Sequence, residues 1–248
     1  MNKLNKPLRI AMWSGPRNIS TAMMRAWENR TDCVVSDEPL YAHYLLATGA
    51  EHPGRDEVIA AGETDWRKVV MQLQGRVPDD AAIWYQKHMC HHLTPGMDWQ
   101  WINALSNILL IRDPLEVVAS YLRTRDAVTA DDIGLPQQAA LFGYLTQRGE
   151  APPVIDAGDF LQNPAGYLRA ICQFFDIEFS ERMLHWPAGP RVSDGIWAPH
   201  WYHAVWQSTG FEKPSQSQAK LTPAGIKVAE ECSEFYQLLR AHRIGIEA

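Results

Sequence analysis

Residues 8–27, LRIAMWSGPRNISTAMMRAW, constrain this chain more than any other stretch. Residues 8–13 (LRIAMW) are apolar apart from Arg9, as a short strand buried on both faces requires. Ser14, Gly15 and Pro16 interrupt the run. Asn18 is a good helix N-cap, and Ile19, Ala22, Met23 and Ala26 then recur at helical spacing. The stretch predicts strand, tight turn, helix. Such a turn aims free backbone N–H groups and the positive end of a helix dipole at one point, and that point binds anions. Arg17 adds a forked cation matched to phosphate or sulfate, and Ser20 and Thr21 add hydroxyl donors. The same strand–turn–helix also opens many α/β proteins that bind nothing there. The glycine-rich loop of nucleoside triphosphatases needs a lysine where Ile19 stands, so a standard ATPase or GTPase is disfavoured.

With 248 residues the chain can bury a sizeable core. No repeat or linker divides it, which predicts a single domain over 1–248. The net charge of −6 argues against nucleic acid and anionic membranes as general partners. The amino-terminal MNKLNKPLRI has no long apolar run after its lysines, so no signal peptide is expected, and no segment approaches the roughly 18 apolar residues of a membrane span. Cys33, Cys90, Cys172 and Cys232 are far apart and form no CxxC pair, which predicts free thiols and a cytoplasmic protein.

Further along, 33–36 (CVVS) reads as a second strand that ends in Asp37 and Glu38. In an open α/β sheet that end is where ligands bind. A capping Asp37 and a solvated Glu38 are the equal alternative. Residues 49–64 read as a mobile loop and 65–75 as a helix. A third strand over 81–88 delivers Lys87 and His88, with Cys90, His91 and His92 just beyond. A metal site here lacks the second ligand cluster that structural zinc wants, so no metal is expected. Lys87 or His88 suits a cationic or proton-transfer role, with a surface histidine cluster as the plain alternative.

Residues 107–111 (NILLI) form the clearest central strand. Asp113, Pro114 and Glu116 then predict an N-cap, first-turn proline and capping box, leaving Arg112 at the strand end and Ser120 on the polar side of the helix. A helix over 137–148, a strand over 153–156 and a helix from Asn163 follow. Residues 183–211 are rich in aromatics and turns, and read as a lid, an acceptor pocket, a homodimer contact or a satellite aromatic cluster. Thr222 and Pro223 open a last helix with Ile226, Ala229, Phe235 and Leu238 facing in. Strands alternating with helices predict a three-layer α/β/α fold around a central parallel sheet.

The loop Pro16-Arg17-Asn18-Ile19-Ser20-Thr21 and the later Ile111-Arg112-Asp113-Pro114 through Ser120 together resemble the sulfotransferase family that uses 3′-phosphoadenosine 5′-phosphosulfate. The resemblance runs to about residue 179. It implies a P-loop-type fold in which residues 15–21, with Gly15, bind the 5′-phosphosulfate, and Arg112 with Ser120 bind the 3′-phosphate. It implies no metal. Two departures stand out: Ile19 replaces the usual loop glycine, and Lys87 and His88 are adjacent where cytosolic members have Lys-x-His. Glu38 matches the glutamate of carbohydrate- and tyrosine-modifying members, and Arg191, Gly195 and Trp197 are a loose counterpart of their Gly-rich C-terminal motif.

The activity implied is sulfuryl transfer to a hydroxyl or amine of a small acceptor, with Arg17 at the sulfuryl oxygens and Glu38, or second His88, as the base. Acceptor specificity falls to 40–66, 125–140 and 186–215. A magnesium-dependent kinase-like enzyme and a non-catalytic nucleotide-binding interaction protein remain the alternatives.

Overall fold

A computed structural model describes residues 6–149, 151–213 and 221–246. Strand β1 (Leu8–Ser14) leads through α1 (Ser20–Glu28) to β2 (Cys33–Asp37). Helices α2 (Tyr41–Thr48), α3 (Arg55–Ala61) and α4 (Trp66–Gln74) connect it to β3 (Ile83–Met89). Next come β4 (Ser106–Ile111), α5 (Pro114–Tyr121), α6 (Ala130–Ile133), α7 (Leu135–Thr146) and β5 (Val154–Asp156). The chain continues through α8 (Ala157–Gln162), α9 (Pro164–Phe174), α10 (Ala198–Trp201) and α11 (His203–Gln207) to α12 (Pro223–Arg240). Lys3 and residues 214–215 of the expected specificity region lie outside the described residues.

The five strands pair in parallel in the order β2-β3-β1-β4-β5. β1 therefore sits at the centre, where the strand order reverses, and ligand clefts open at the carboxyl ends of strands at such a point. Strand periodicity splits the core. Ala11, Trp13, Leu109 and Ile111 face one layer with α4, α7 and α12, while Ile10, Met12, Ile108 and Leu110 face the other with α1 and α9. The expected three-layer α/β/α arrangement around a parallel sheet is the one observed.

Local departures have physical causes. Asn18 does not cap α1. Its side chain donates to the Leu110 carbonyl at 3.0 Å and the helix begins at Ser20. Across sheet edges a side-chain bond between neighbouring strand ends outweighs a local cap. The expected loop over 49–64 contains α3, whose seven residues bury only Val58, too short a stripe to read from periodicity. The inward face of α12 is Gly225, Ala229, Cys232, Tyr236 and Leu239, so Ile226 and Leu238 point outward. Gly225 lies close to the end of α5: a Cβ there would meet the tip of the Leu122 side chain at 2.9 Å and Val118 at 3.3 Å. At α5, Asp113 caps as expected, but Glu116 pairs with Arg112 at 2.8 Å instead of closing a capping box.

The aromatic stretch after α9 is tied to the sheet layer by a buried ion pair. Arg25, fully buried in α1, donates to Asp194 at 2.5 Å. Asp194 also accepts from the Trp206 indole at 2.9 Å and from the Arg191 backbone N–H at 2.9 Å, and Ser193 bonds Glu28. Removing one partner of a buried pair strands the other charge, at a cost of about 3–5 kcal/mol. Asp194→Ala should therefore lower the unfolding free energy by up to that order, Arg25 keeping Glu28 at 3.2 Å, and Asp194→Asn by less, because the amide oxygen can still accept. Equal, near-zero shifts in chemical denaturation would contradict the anchoring role.

Candidate functional site

A cavity of about 420 Å³ lies over the carboxyl ends of the strands. Its floor is the turn after β1. Gly15 is required there because a Cβ would lie 2.2 Å from the carbonyl oxygen of Ile133, at the end of α6. Gln138 holds the two central strand ends together by donating to the carbonyls of Trp13 and Leu110 at 3.1 and 3.0 Å. Pro16, Asn18, Ile19, Ser20 and Thr21 all line the cavity. No side chain caps the start of α1, which leaves its first N–H groups for a ligand.

Three guanidinium groups gather around one hydroxyl. The Ser120 oxygen accepts from Arg17 Nε at 3.0 Å and from Arg123 at 2.9 Å. Arg112 donates to the Arg17 carbonyl at 2.9 Å. Arg17 itself sits at φ 55°, a left-handed conformation that costs a non-glycine residue free energy and turns its carbonyl toward Arg112. Burial, then the nearby Arg123 and Arg112 charges, disfavour the Arg17 cation and lower its pKa. Like charges packed this way bind a polyanion well, because the ligand relieves a repulsion already present in the protein.

Opposite this cluster lies a buried acid–base group. Glu38 follows β2 at φ 42°, and its own N–H continues the sheet pairing by donating to the Lys87 carbonyl at 2.9 Å. Lys87 ends β3 with only 1% of its side chain exposed, and donates to Asp37, Glu38 and the Tyr202 hydroxyl at 2.8, 2.5 and 2.8 Å. Tyr202 in turn donates to Asp37 at 2.7 Å. The Gly195 N–H also reaches Asp37, at 3.2 Å. Burial and then the neighbouring charges set both protonation states. Burial raises the Glu38 pKa and Asp37 raises it further, only partly countered by Lys87. Burial works against the Lys87 charge, but Asp37 and Glu38 outweigh it and hold its pKa well above the ordinary lysine value. Asp37 is thus neither a simple turn cap nor free, and Glu38 is 12% exposed rather than solvated.

His88 is elsewhere. Alternation along β3 sends Lys87 toward the cavity and His88 to the opposite face of the sheet, where it stacks on Trp13 at 4.3 Å between centroids. It is 1% exposed, and burial followed by Lys87 pushes its pKa down to about 3. His88 is therefore corrected from candidate base to core residue: it does not line the cavity. His92, expected as part of a surface cluster, is buried and lines the cavity with His91, His52, Tyr41 and Tyr44. Burial lowers the pKa of His52 to about 4 and of His91 to about 3, so this wall is uncharged at neutral pH. Among the described residues no group of His, Cys, Asp and Glu is arranged to hold a metal ion. The four cysteines are free and buried.

Sequence reasoning singled out Arg17, Ser20, Thr21, Glu38, Lys87, Arg112 and Ser120, and the structure brings all of them to this cavity. It missed Arg123, Arg125, Tyr202 and the roles of His52 and His92. Nothing in local periodicity marks these, although Arg125, His52 and Tyr202 fall in the three stretches expected to hold specificity. Arg191, offered as part of a C-terminal motif, bonds the Pro187 carbonyl at 3.4 Å and stays outside the cavity lining. No helix among the described residues is long and apolar enough to cross a membrane.

A family model described as the sulfotransferase domain matches residues 8–242. Two Arabidopsis thaliana proteins, branched-chain-amino-acid aminotransferase-like proteins 2 and 1, are 33% and 34% identical, over 94% and 96% of this chain. The chain spans only 41% and 42% of their length. Among solved structures, a sulfotransferase domain from the curacin biosynthetic pathway superposes with a TM-score of 0.57 at 16% identity, covering 92% of this chain and 98% of that one. A sulfotransferase from Alicyclobacillus acidocaldarius gives 0.57 at 12% identity and covers 98% of both. These two share the fold. The central parallel sheet and the match over nearly the whole chain place this protein in the sulfotransferase domain family.

Proposed function

We propose that this chain transfers a sulfuryl group from 3′-phosphoadenosine 5′-phosphosulfate to a hydroxyl or amine of a small acceptor, as a single domain over 1–248. The observation that carries this reading is the Arg17, Arg112 and Arg123 cluster on Ser120, facing the same cavity as buried Glu38. The turn N–H groups and Arg17 hold the 5′ sulfuryl end. Arg112, Arg123 and Ser120 hold the 3′-phosphate. Glu38 takes the acceptor proton as the new S–O bond forms and the bond from sulfur to the bridging phosphate oxygen breaks. The leaving group is then the phosphate of 3′,5′-adenosine bisphosphate. A raised carboxylate pKa suits a general base, since basicity rises with it. Lys87, Asp37 and Tyr202 position Glu38 without touching the reacting atoms. Fixed donors in a water-poor site supply the electrostatic stabilisation such a transfer needs.

A kinase-like reading is weakened by one contact. Asp113, the carboxylate that would have to bind magnesium, accepts from the Leu115 N–H at 2.8 Å as the cap of α5.

Two tests follow. Glu38→Gln keeps shape but cannot accept a proton, so kcat should fall about 10²- to 10⁴-fold. In the wild type, kcat/KM should fall as pH drops through a pKa above the usual glutamate value, and the variant should lack that acid limb. Turnover within a few-fold of wild type in folded Glu38→Gln removes Glu38 as the base. Calorimetry with 3′,5′-adenosine bisphosphate in metal-free buffer should show binding that needs the 3′-phosphate, weakened about 10-fold or more in Arg112→Ala. Preference for ATP with magnesium would overturn the donor assignment.

A further inference from the structure

Beyond the arginine cluster, the cavity has a second, differently built wall. Tyr41, Tyr44, His52, His91, His92 and Trp201 form it. The rings pack on one another: Tyr41 lies parallel to His92 at 5.0 Å, and Tyr44 meets His92 at 4.7 Å. Low pKa values keep its imidazoles neutral, so the wall is apolar in body with single ring nitrogens as polar points. His91 Nδ1 and His92 Nδ1 have no protein partner.

One cation belongs to this wall. Arg125 lies over the Trp201 ring at 5.5 Å and donates to the Glu51 carbonyl at 2.9 Å through one terminal nitrogen. Its other terminal nitrogen is shielded from water and has no partner among the described residues. Leaving such a charged donor unpaired is costly, and a ligand carboxylate is the group that fits its fork. Asp132 also lines the cavity, but its Oδ2 is engaged by the backbone N–H and hydroxyl of Thr129 as the capping box of α6, and Arg125 makes no ion pair among the described residues. The three arginines on Ser120 serve the donor side. Arg125 instead stands among the rings, by His52, Tyr41 and Tyr44, which feel its charge.

We infer that the acceptor is a hydroxyl-bearing carboxylic acid with an apolar, aryl-sized body, its carboxylate held by Arg125 and its hydroxyl directed toward Glu38. This rests on the sulfuryl-transfer reading and narrows its acceptor. The stretches 40–66, 125–140 and 186–215 then act as one specificity surface, since Arg125, His52 and Trp201 come one from each. The group transferred and the bonds made and broken are those given above. The carboxylate takes no part in the chemistry, so its effect is on binding and orientation.

The test compares matched acceptors: 3-(4-hydroxyphenyl)propanoate and a 4-hydroxyalkanoate against the corresponding primary amides, with the labelled phosphosulfate donor. A charge-assisted pair corresponds to a factor of about 10 to 150 in kcat/KM, so the acids should exceed their amides by that range. In Arg125→Met the ratio of acid to amide should collapse toward one, and in Arg125→Lys it should be partly retained, which separates lost charge from lost fold. Amides used as well as acids, transfer to neutral alcohols alone, or a preference that survives Arg125→Met would each overturn the inference while leaving sulfuryl transfer standing. Failure of wild-type protein to bind 3′,5′-adenosine bisphosphate in calorimetry would instead strike the donor reading, and this inference with it.

Discussion

One buried lysine organises the site. Lys87 ends β3 with its ammonium out of water, between Asp37 and Glu38 from the end of β2 and the hydroxyl of Tyr202 from the segment between α10 and α11. An isolated ammonium in that place would carry a desolvation cost of several kcal/mol. Two carboxylates and a hydroxyl at hydrogen-bond distance offset it. The same four groups lock a strand end, a strained turn and a distant aromatic segment into one position. They hold Glu38 in its left-handed conformation, which no local interaction would favour. The candidate base is therefore placed by tertiary electrostatics rather than by its own turn.

A second buried pair, Arg25 with Asp194, does for the far end of that segment what Lys87 does for the near end. Together they bring Tyr202 and Trp201 over the cavity from a stretch with little regular structure. The Lys87 group and the Ser120 cluster use opposite designs. Around Lys87 one cation serves two carboxylates. Around Ser120 two cations, Arg17 and Arg123, share one hydroxyl while Arg112 beside them pairs with Glu116, which leaves an excess of positive charge on that side of the cavity. The chain as a whole is acidic, yet the donor side of its cavity is strongly basic. Overall charge reports on solubility and long-range attraction, and a pocket a few ångströms across escapes it.

Much of this was legible in advance, for identifiable reasons. The strands are short and centred on apolar runs, and several end at Gly, Pro or Asp, as after β1 at Gly15 and in β2 and β5 at Asp37 and Asp156, so much of their burial is written locally. Arg17, Arg112 and Ser120 could be found because each stands at a strand end or one helical face away from it. His88 could not be resolved that way. A one-residue difference in strand register carries a side chain to the opposite face, and the end of β3 offered Lys87 and His88 with equal plausibility. The sheet pairing of Asp37 with Lys87 decided it. In α12, packing against α5 and α7 buries Ala229, Cys232, Tyr236 and Leu239 and leaves Ile226 and Leu238 exposed, a choice made between segments far apart in the chain.

The amino-acid sequence by itself determined the α/β alternation, the anion-binding turn at 15–21, the arginine after β4 and the carboxylates after β2, because turn chemistry, caps and hydrophobic period act over a few residues. Only the tertiary structure decided the strand order that places β1 in the middle, and which member of each adjacent pair faces the cavity. It also decided which cations remain without a partner. Arg123 and Arg125 differ by two residues, yet one joins the donor cluster and the other the aromatic wall. That choice depends on Ser120, Trp201 and Glu51, brought together from distant parts of the chain by burial of the sheet. No pattern within a window of residues carries it.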